Sequence, residues 1–380
     1  MTQSEWLLAL NTGSTSIKFA AFARSDLRPL LSGALRQFPD EPQWRIDLGP
    51  PAPQGAPCAI GDAIHAILTY VKDALGAAPV AIGHRIVHGG SHTAPMRLDA
   101  AALRQLRSLS AFAPLHQAMG VDAAEIAMTA WPGVPNLAVF DTAFHHTMPD
   151  AEKTLPLPRE DGAKGIMRYG FHGLSFQSAA NRLRARFGKG AGGRVVAAHL
   201  GGGASLCAML HGESRATTMG LTPAGGVPMA TRSGDLDPGV VLALVREHGV
   251  EGAEHRLNRE AGMRGISGRT GDVMTLLQSH AAQDRLALDI YVRRIQQAIA
   301  AMAMAIGGMD ALVFTGGAGT HAPELRRRIA EGCAWLGVDL DHTANTANAE
   351  IISTATSRIM ALQVAAQEEL MIAQAILAVI

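Results

Sequence analysis

The sequence predicts an α/β protein built by internal duplication, and three stretches predict it. The first is an apolar run, Trp6-Leu-Leu-Ala-Leu10, followed by the turn-rich Asn11-Thr-Gly-Ser-Thr-Ser16 and a second apolar run, Ile17-Lys-Phe-Ala-Ala-Phe22. The second stretch repeats that plan with Arg194-Val-Val-Ala-Ala-His199, Leu200-Gly-Gly-Gly-Ala-Ser205 and Leu206-Cys-Ala-Met-Leu210. Short apolar runs around a Gly/Ser turn read as paired strands, and two copies in separate halves mark a repeated unit. The third is Ala311-Leu-Val-Phe-Thr315, then Gly316-Gly-Ala-Gly319, then Pro323-Glu-Leu-Arg-Arg-Arg-Ile-Ala330. It reads as a buried strand, a glycine loop and a helix with Pro in its first turn, an arrangement suited to receiving phosphate.

A chain of 380 residues is long enough for two or three domains. With 48% hydrophobic and 17% charged residues it has ample material for cores. Lys+Arg and Asp+Glu balance at 33 each, so no global charge attracts nucleic acid or an anionic membrane, and any anion site must be local. Cys58, Cys207 and Cys333 are too scattered for a disulfide framework or a zinc site, which fits a reducing cytoplasm. Residues 1–10 lack the basic-then-apolar plan of a signal peptide. The apolar stretch 295–309 is short for a membrane span and reads as a buried helix.

Between the strands, residues 99–112, 117–130, 174–187 and 284–306 carry apolar residues at mixed spacings of three and four, the mark of helices. Residues 37–57 are proline-rich and read as an irregular excursion. Residues 239–245 form an apolar helix opened by Asp235 or Asp237. A last helix over 368–379 returns to the first domain.

Several residues carry chemistry. Small residues in the two Gly/Ser turns let backbone N–H groups approach phosphate, with Ser14, Thr15, Ser16 and Ser205 as hydroxyl donors and Lys18 as a counter-charge; an ordinary hairpin turn is the plainer alternative. Arg85 stands inside the apolar strand 81–87, so it is either a salt-bridge partner or an anion clamp. Asp141 follows the run Val139-Phe140, where α/β sites gather, or it is a turn residue. His172 sits between Phe171 and glycines, as a hydrogen-bond donor to developing phosphoryl charge or a structural histidine. Arg232 is a second candidate phosphate clamp.

Taken together these segments resemble the acetate kinase family. The resemblance rests on Asn11-Thr-Gly-Ser-Thr-Ser-Ile-Lys18, Gly83-His-Arg-Ile-Val-His-Gly-Gly90, Ala113-Pro-Leu-His116, Phe140-Asp-Thr-Ala-Phe-His145 and Arg168-Tyr-Gly-Phe-His-Gly173. It continues through His199-Leu-Gly-Gly-Gly-Ala-Ser205, Thr231-Arg-Ser-Gly-Asp-Leu-Asp-Pro238, Phe314-Thr-Gly-Gly317 and Glu368-Glu-Leu-Met-Ile-Ala373, in order and nearly end to end. It implies two duplicated ribonuclease-H-like, actin-like ATPase domains with an interdomain cleft. The domains would be residues 1–141 with about 371–380, and residues 142–370, the latter with most nucleotide contacts. It implies a kinase passing the phosphoryl group of ATP reversibly to acetate or another short carboxylate, by direct in-line transfer with domain closure excluding water. A sugar-type kinase of the same superfamily and a non-catalytic nucleotide sensor are the alternatives.

By position, the resemblance makes Arg85, Asp141, His172, His199 and Arg232 the catalytic set. Arg85 with Val87, Leu115, Phe171 and Pro223 would hold the acid. Lys18, His199, Leu200, Gly201, Gly202, Gly203, Ser205, Asp272, Gly316, Gly317, Ala318 and Gly319 would hold the nucleotide. Asn11 and Glu368 would serve Mg²⁺, or Mn²⁺ in its place. A cytoplasmic homodimer joined through the second domain is the implied assembly. The chain departs from the family at Gln117-Ala118, Gly202, Met274, the segment Ala318-Gly-Thr-His321 and the segment 224–230, which leaves open the phosphoryl donor (ATP, another nucleoside triphosphate or pyrophosphate) and the acyl chain length.

Overall fold

The computed structural model describes residues 5–13, 16–38, 40–113, 116–188 and 193–380. The chain divides into two compact units, residues up to 143 together with 367–380, and residues 144–366.

The first unit holds strands β1 (Trp6–Thr12), β2 (Ser16–Ala23), β3 (Pro29–Arg36), β4 (Gln43–Leu48), β5 (Ala81–Ile86), β6 (Met96–Arg97) and β7 (Asn136–Phe140). They form one sheet in the order β4-β3-β2-β1-β5-β7-β6. The second unit holds β8 (Arg194–Leu200), β9 (Ala204–Leu210), β10 (Glu213–Thr217), β11 (Ala311–Thr315) and β12 (Met360–Gln363), in the order β10-β9-β8-β11-β12. Both units contain the same five-strand order: three antiparallel strands (β3-β2-β1 and β10-β9-β8), a parallel strand beside the opening one (β5, β11) and a further parallel strand beside that (β7, β12), to which the first unit adds β4 and β6 at its edges. The same ribonuclease-H-like order is therefore written twice.

Strand alternation sorts the faces. In β1, Leu8 and Leu10 pack with Ile64, Ile67 and Leu68 of the helix Ile60–Leu75 and with Ala123 and Ala127 of the helix Gln117–Ala130. The alternate residues Leu7, Ala9 and Asn11 face the other way, and the helix Glu368–Leu377 packs across β1, β2 and β5. In β8, Val195 and Ala197 pack with Phe176, Ala179 and Leu183 of the helix Gly173–Phe187, so His199 shares that helix's side.

The two helices are exchanged along the chain. The helix Gly173–Phe187 follows β7 of the first unit but packs on β8 and β11. The helix Glu368–Leu377 follows β12 of the second unit but packs on the first sheet.

Two local expectations are corrected. The excursion at 37–57 contains β4, whose Trp44 and Ile46 pack on the first core while Arg45 and Asp47 face outward. The prolines flank this strand and hide a two-residue alternation. The glycine loop at 316–319 is the start of a six-residue helix, Gly316–His321. The apolar helix expected at 239–245 belongs to Pro238–His255, capped by Asp237. Asp235 instead accepts from the Gly226 N–H. Among the described residues no helix is long and apolar enough to cross a membrane.

Candidate functional site

In the first unit the site grows from the ends of β1 and β5. Asn11 and Arg85 stand on the sheet face covered by the helix Glu368–Leu377, whose first turn carries Glu368 and Glu369. The Asn11 amide donates to Glu368 Oε2 at 2.8 Å and to Glu369 Oε1 at 2.7 Å. Arg85 donates through Nε at 2.9 Å and Nη2 at 2.5 Å to Asp141 Oδ2. Its Nη1 lies 3.4 Å from the Thr12 carbonyl and 3.5 Å from Asn11 Oδ1. Burial alone would lower the pKa of this guanidinium, but Asp141, Glu368 and Glu369 outweigh burial and hold it above its ordinary value. Arg85 is thus an ion-pair partner whose charge is locked at any working pH.

Lys18 pairs in register with Asn11 across the β1–β2 hairpin, with its side chain exposed. Val87 is buried just beyond β5. Leu115, Ser14 and Thr15 lie outside the described residues.

Glu369 had no role in the sequence reading. Its only signal was adjacency to Glu368, and helix geometry brings both carboxylates to one amide. The donor set here is hard oxygen: two carboxylates and the Asn11 carbonyl. Among the described residues no group of three His, Cys, Asp or Glu side chains could hold a metal. Carboxylates of this kind, with water and substrate phosphates completing the shell, are the donors that Mg²⁺ takes. The residues therefore fit the group.

In the second unit His172 and His199 come together. Their rings stack at 4.1 Å between centroids. His172 Nδ1 lies 2.9 Å from Ser205 Oγ, and His199 Nδ1 lies 2.8 Å from Ser175 Oγ. Ser175, in the first turn of the helix Gly173–Phe187, was not foreseen. Arg232 Nη1 donates to the Pro223 carbonyl at 3.0 Å. A side-chain carbon placed on Gly203 would stand 3.2 Å from His172 Nε2 and 3.5 Å from Arg232 Nη1. An imidazole nitrogen, a guanidinium and a glycine backbone thus converge on one point.

A cavity of about 610 Å³ lies beside this cluster, lined by Gly201, Gly202, Asp272, Met274, Gly317 and Ala318 among others. Arg264, Arg269 and His321 also line it and were not foreseen. Gly203, Gly316 and Gly319 are not among its lining residues. Leu200 is buried at the end of β8. The Ser205 hydroxyl faces His172, and Asp272 caps the helix Val273–Gln278 by accepting from Thr275. Phe171 is buried, and Pro223 meets Arg232 through its carbonyl.

The sequence matches the Acetokinase family over residues 6–374. An acetate kinase of Rhodopseudomonas palustris is 41% identical over 390 residues, covering 98% of this chain and 97% of that one. An acetate kinase of Rhizobium meliloti is 40% identical over 390 residues, covering 98% of both. Among solved structures, a propionate kinase from Francisella tularensis has a TM-score of 0.86 at 30% identity, covering 98% of each chain. The acetate kinase of Porphyromonas gingivalis has a TM-score of 0.82 at 29% identity, again covering 98% of each.

Proposed function

Because the chain belongs to the acetokinase family, we propose that it is a carboxylate kinase that transfers the phosphoryl group of ATP to acetate or a close homologue. The observation that carries this reading is the convergence of His172 Nε2 and Arg232 Nη1 beside Gly203. Fixed donors at one point suit a transferring phosphoryl group, whose charge lies on its equatorial oxygens. The carboxylate needs no base, being already an anion at neutral pH. One of its oxygens attacks the γ-phosphorus, the bond to the bridging oxygen breaks, and ADP leaves with that electron pair. The products are an acyl phosphate and ADP, and no proton moves.

Arg85, with its charge secured by Asp141, is the proposed clamp for the carboxylate. His199 supports His172 through ring stacking. Asn11, Glu368 and Glu369 would hold Mg²⁺ through water, and the bound ion supplies charge neutralisation to the phosphates. Val87, Phe171 and Pro223 are the proposed acyl walls, with Leu115.

The 610 Å³ cavity supports a nucleoside triphosphate as donor, since pyrophosphate needs no nucleoside pocket. Asp141 is engaged by Arg85, which disfavours it as the base a sugar-type kinase requires.

A homodimer is the proposed assembly. The stretch Pro238–His255, two helices broken at Gly249 (φ +71°), buries only Ala253, although Val240, Leu242 and Val250 are apolar and exposed. It borders a cavity of about 720 Å³ shared with Ile290, Ala298 and Met302 of the helix Ala282–Ala305. A second copy covering this apolar surface is what such exposure favours. The cytoplasm is the proposed setting, in keeping with three free cysteines.

The test is acyl hydroxamate formation in a matrix of acetate, propionate and butyrate against ATP, GTP and pyrophosphate, with Mg²⁺. Product from a short acid and ATP is expected. Sugar-dependent ATP consumption without any hydroxamate sinks the reading.

A further inference from the structure

One buried cluster in the second unit has no part in the transfer described above. His145 is fully enclosed in the turn Ala143–Thr147. Its Nε2 lies 3.0 Å from the Phe171 carbonyl, and its Nδ1 lies 2.9 Å from Ser214 Oγ. Cys207 Sγ lies 3.4 Å from the same hydroxyl. A carbonyl only accepts, so Nε2 carries the proton and donates to Phe171. Nδ1 is then a lone-pair acceptor, and Ser214 donates to it. The tautomer is set from both sides. Burial pulls the pKa of this imidazole down to about 4, against a weaker upward effect of the Phe171 bond, so the ring is neutral.

The gripped peptide leads directly into His172. Gly170 has φ +78°, and a side-chain carbon there would stand 2.7 Å from His145 Cδ2 and 2.8 Å from its Cγ. His172 itself has φ +59°, in the left-handed region that residues with a side chain seldom enter. Gly170 enters that region freely, whereas a left-handed His172 persists only where its surroundings over-determine it. On one side, His172 is held by Ser205 and by stacking on His199. On the other, the preceding carbonyl is held by His145.

We propose that His145 is a positioning residue for phosphoryl transfer: its bond to the Phe171 carbonyl fixes the left-handed turn that aims His172. This rests on the reading of His172 as a hydrogen-bond donor to the transferring phosphoryl group. His145 touches no reacting atom and acts through His172 alone. Positional errors near an ångström cost about a hundredfold in rate, so the effect belongs in kcat and spares the nucleotide's KM.

Two polar substitutions separate this from plain structural support. In His145→Gln the side-chain amide reaches the Phe171 carbonyl and can donate to it. In His145→Asn the amide stops near Nδ1 and cannot. Using hydroxamate formation from acetate and MgATP, His145→Gln is expected to keep kcat within a few-fold of the natural enzyme. His145→Asn is expected to lose about 10- to 100-fold, with the KM for ATP little changed. In a His172→Ala background the difference between the two should vanish. Equal kcat for Gln and Asn overturns the proposal, as does a difference that survives in the His172→Ala background. If His172→Ala alone turns over normally, the assignment of His172 fails first and takes the positioning role with it, a distinguishable result. Should His145→Asn not fold, Ser214→Ala, which frees the tautomer, must lower kcat but not the KM for ATP; an unchanged kcat overturns the proposal.

Discussion

The two units use one strand order and put different chemistry at the same places. Asn11, near the end of β1, occupies the position that His199 holds near the end of β8. Arg85 in β5 stands level with Asn11, as Thr315 in β11 stands level with His199. In each unit a helix N-terminus meets these residues. The first unit's helix opens with Glu368 and Glu369, so its positive end is already answered by carboxylates. The second unit's helix Gly173–Phe187 has no acid in its first turn and opens on His172 and Ser175. The first arrangement welcomes a cation, and the second welcomes an anion. A duplicated scaffold thus fixes where the chemistry sits, and a few substitutions at strand ends decide its sign.

The sharpest way to break this comparison is to exchange its matched positions. Arg85→Ala should lower kcat by about 10²- to 10³-fold, the usual cost of one preorganised charge donor, while Thr315→Val should stay within a few-fold. Steady-state rates of hydroxamate formation read both, and a tolerant Arg85→Ala enzyme defeats the assignment.

A second effect is shared by the units. His84 in the first and His145 in the second are buried, and burial lowers each pKa from 6.5 to about 4. On acidification the unfolded chain takes up these protons before the folded one does. Each histidine's contribution is therefore intact above about pH 6.5 and is lost progressively toward pH 4. At most it amounts to roughly 3 kcal/mol per histidine. Urea titrations at pH 7.5 and 5 should show the loss, and His145→Gln should reduce it.

Next comes the cation side. Asn11→Ala should weaken the apparent Mg²⁺ affinity by about 10-fold, because a bridging amide orients both carboxylates. His199→Asn should leave that Mg²⁺ dependence alone. Titration with Mg²⁺ by calorimetry in the presence of nucleotide compares them, and equal shifts would erase the distinction between the ends. The smallest effect is again at Thr315, whose buried hydroxyl has no hydrogen-bond partner among the described residues. Thr315→Val should stabilise the protein by about 1 kcal/mol in urea unfolding.

The duplicated hairpins and the helices near 117–130 and 174–187 were legible because apolar periodicity survives in each. The strand Gln43–Leu48 was not, because flanking prolines outweigh a six-residue alternation. The helix Gly316–His321 was hidden by glycines, whose low propensity is overridden here by the fixed end of β11. Site residues stood out singly, while their partnerships did not. Arg85 and Asp141 are 56 positions apart, and His145 and Ser214 are 69 apart. No local pattern encodes such pairs. The apolar helix expected at 239–245 leaves Val240 and Leu242 exposed, which its composition alone does not reveal.

The exchange of terminal helices bears on how the protein is made. Strands β1 to β7 leave the ribosome early, yet the helix that covers one face of their sheet is translated more than two hundred residues later. Ile372 and Ile376, both fully buried in the finished molecule, reach that face only then. During synthesis the first sheet must wait with Leu7 and Ala9 uncovered, in a form prone to association with other nascent chains. A polypeptide truncated before position 368 would forfeit at once its acidic pair and the cover of its earliest strands.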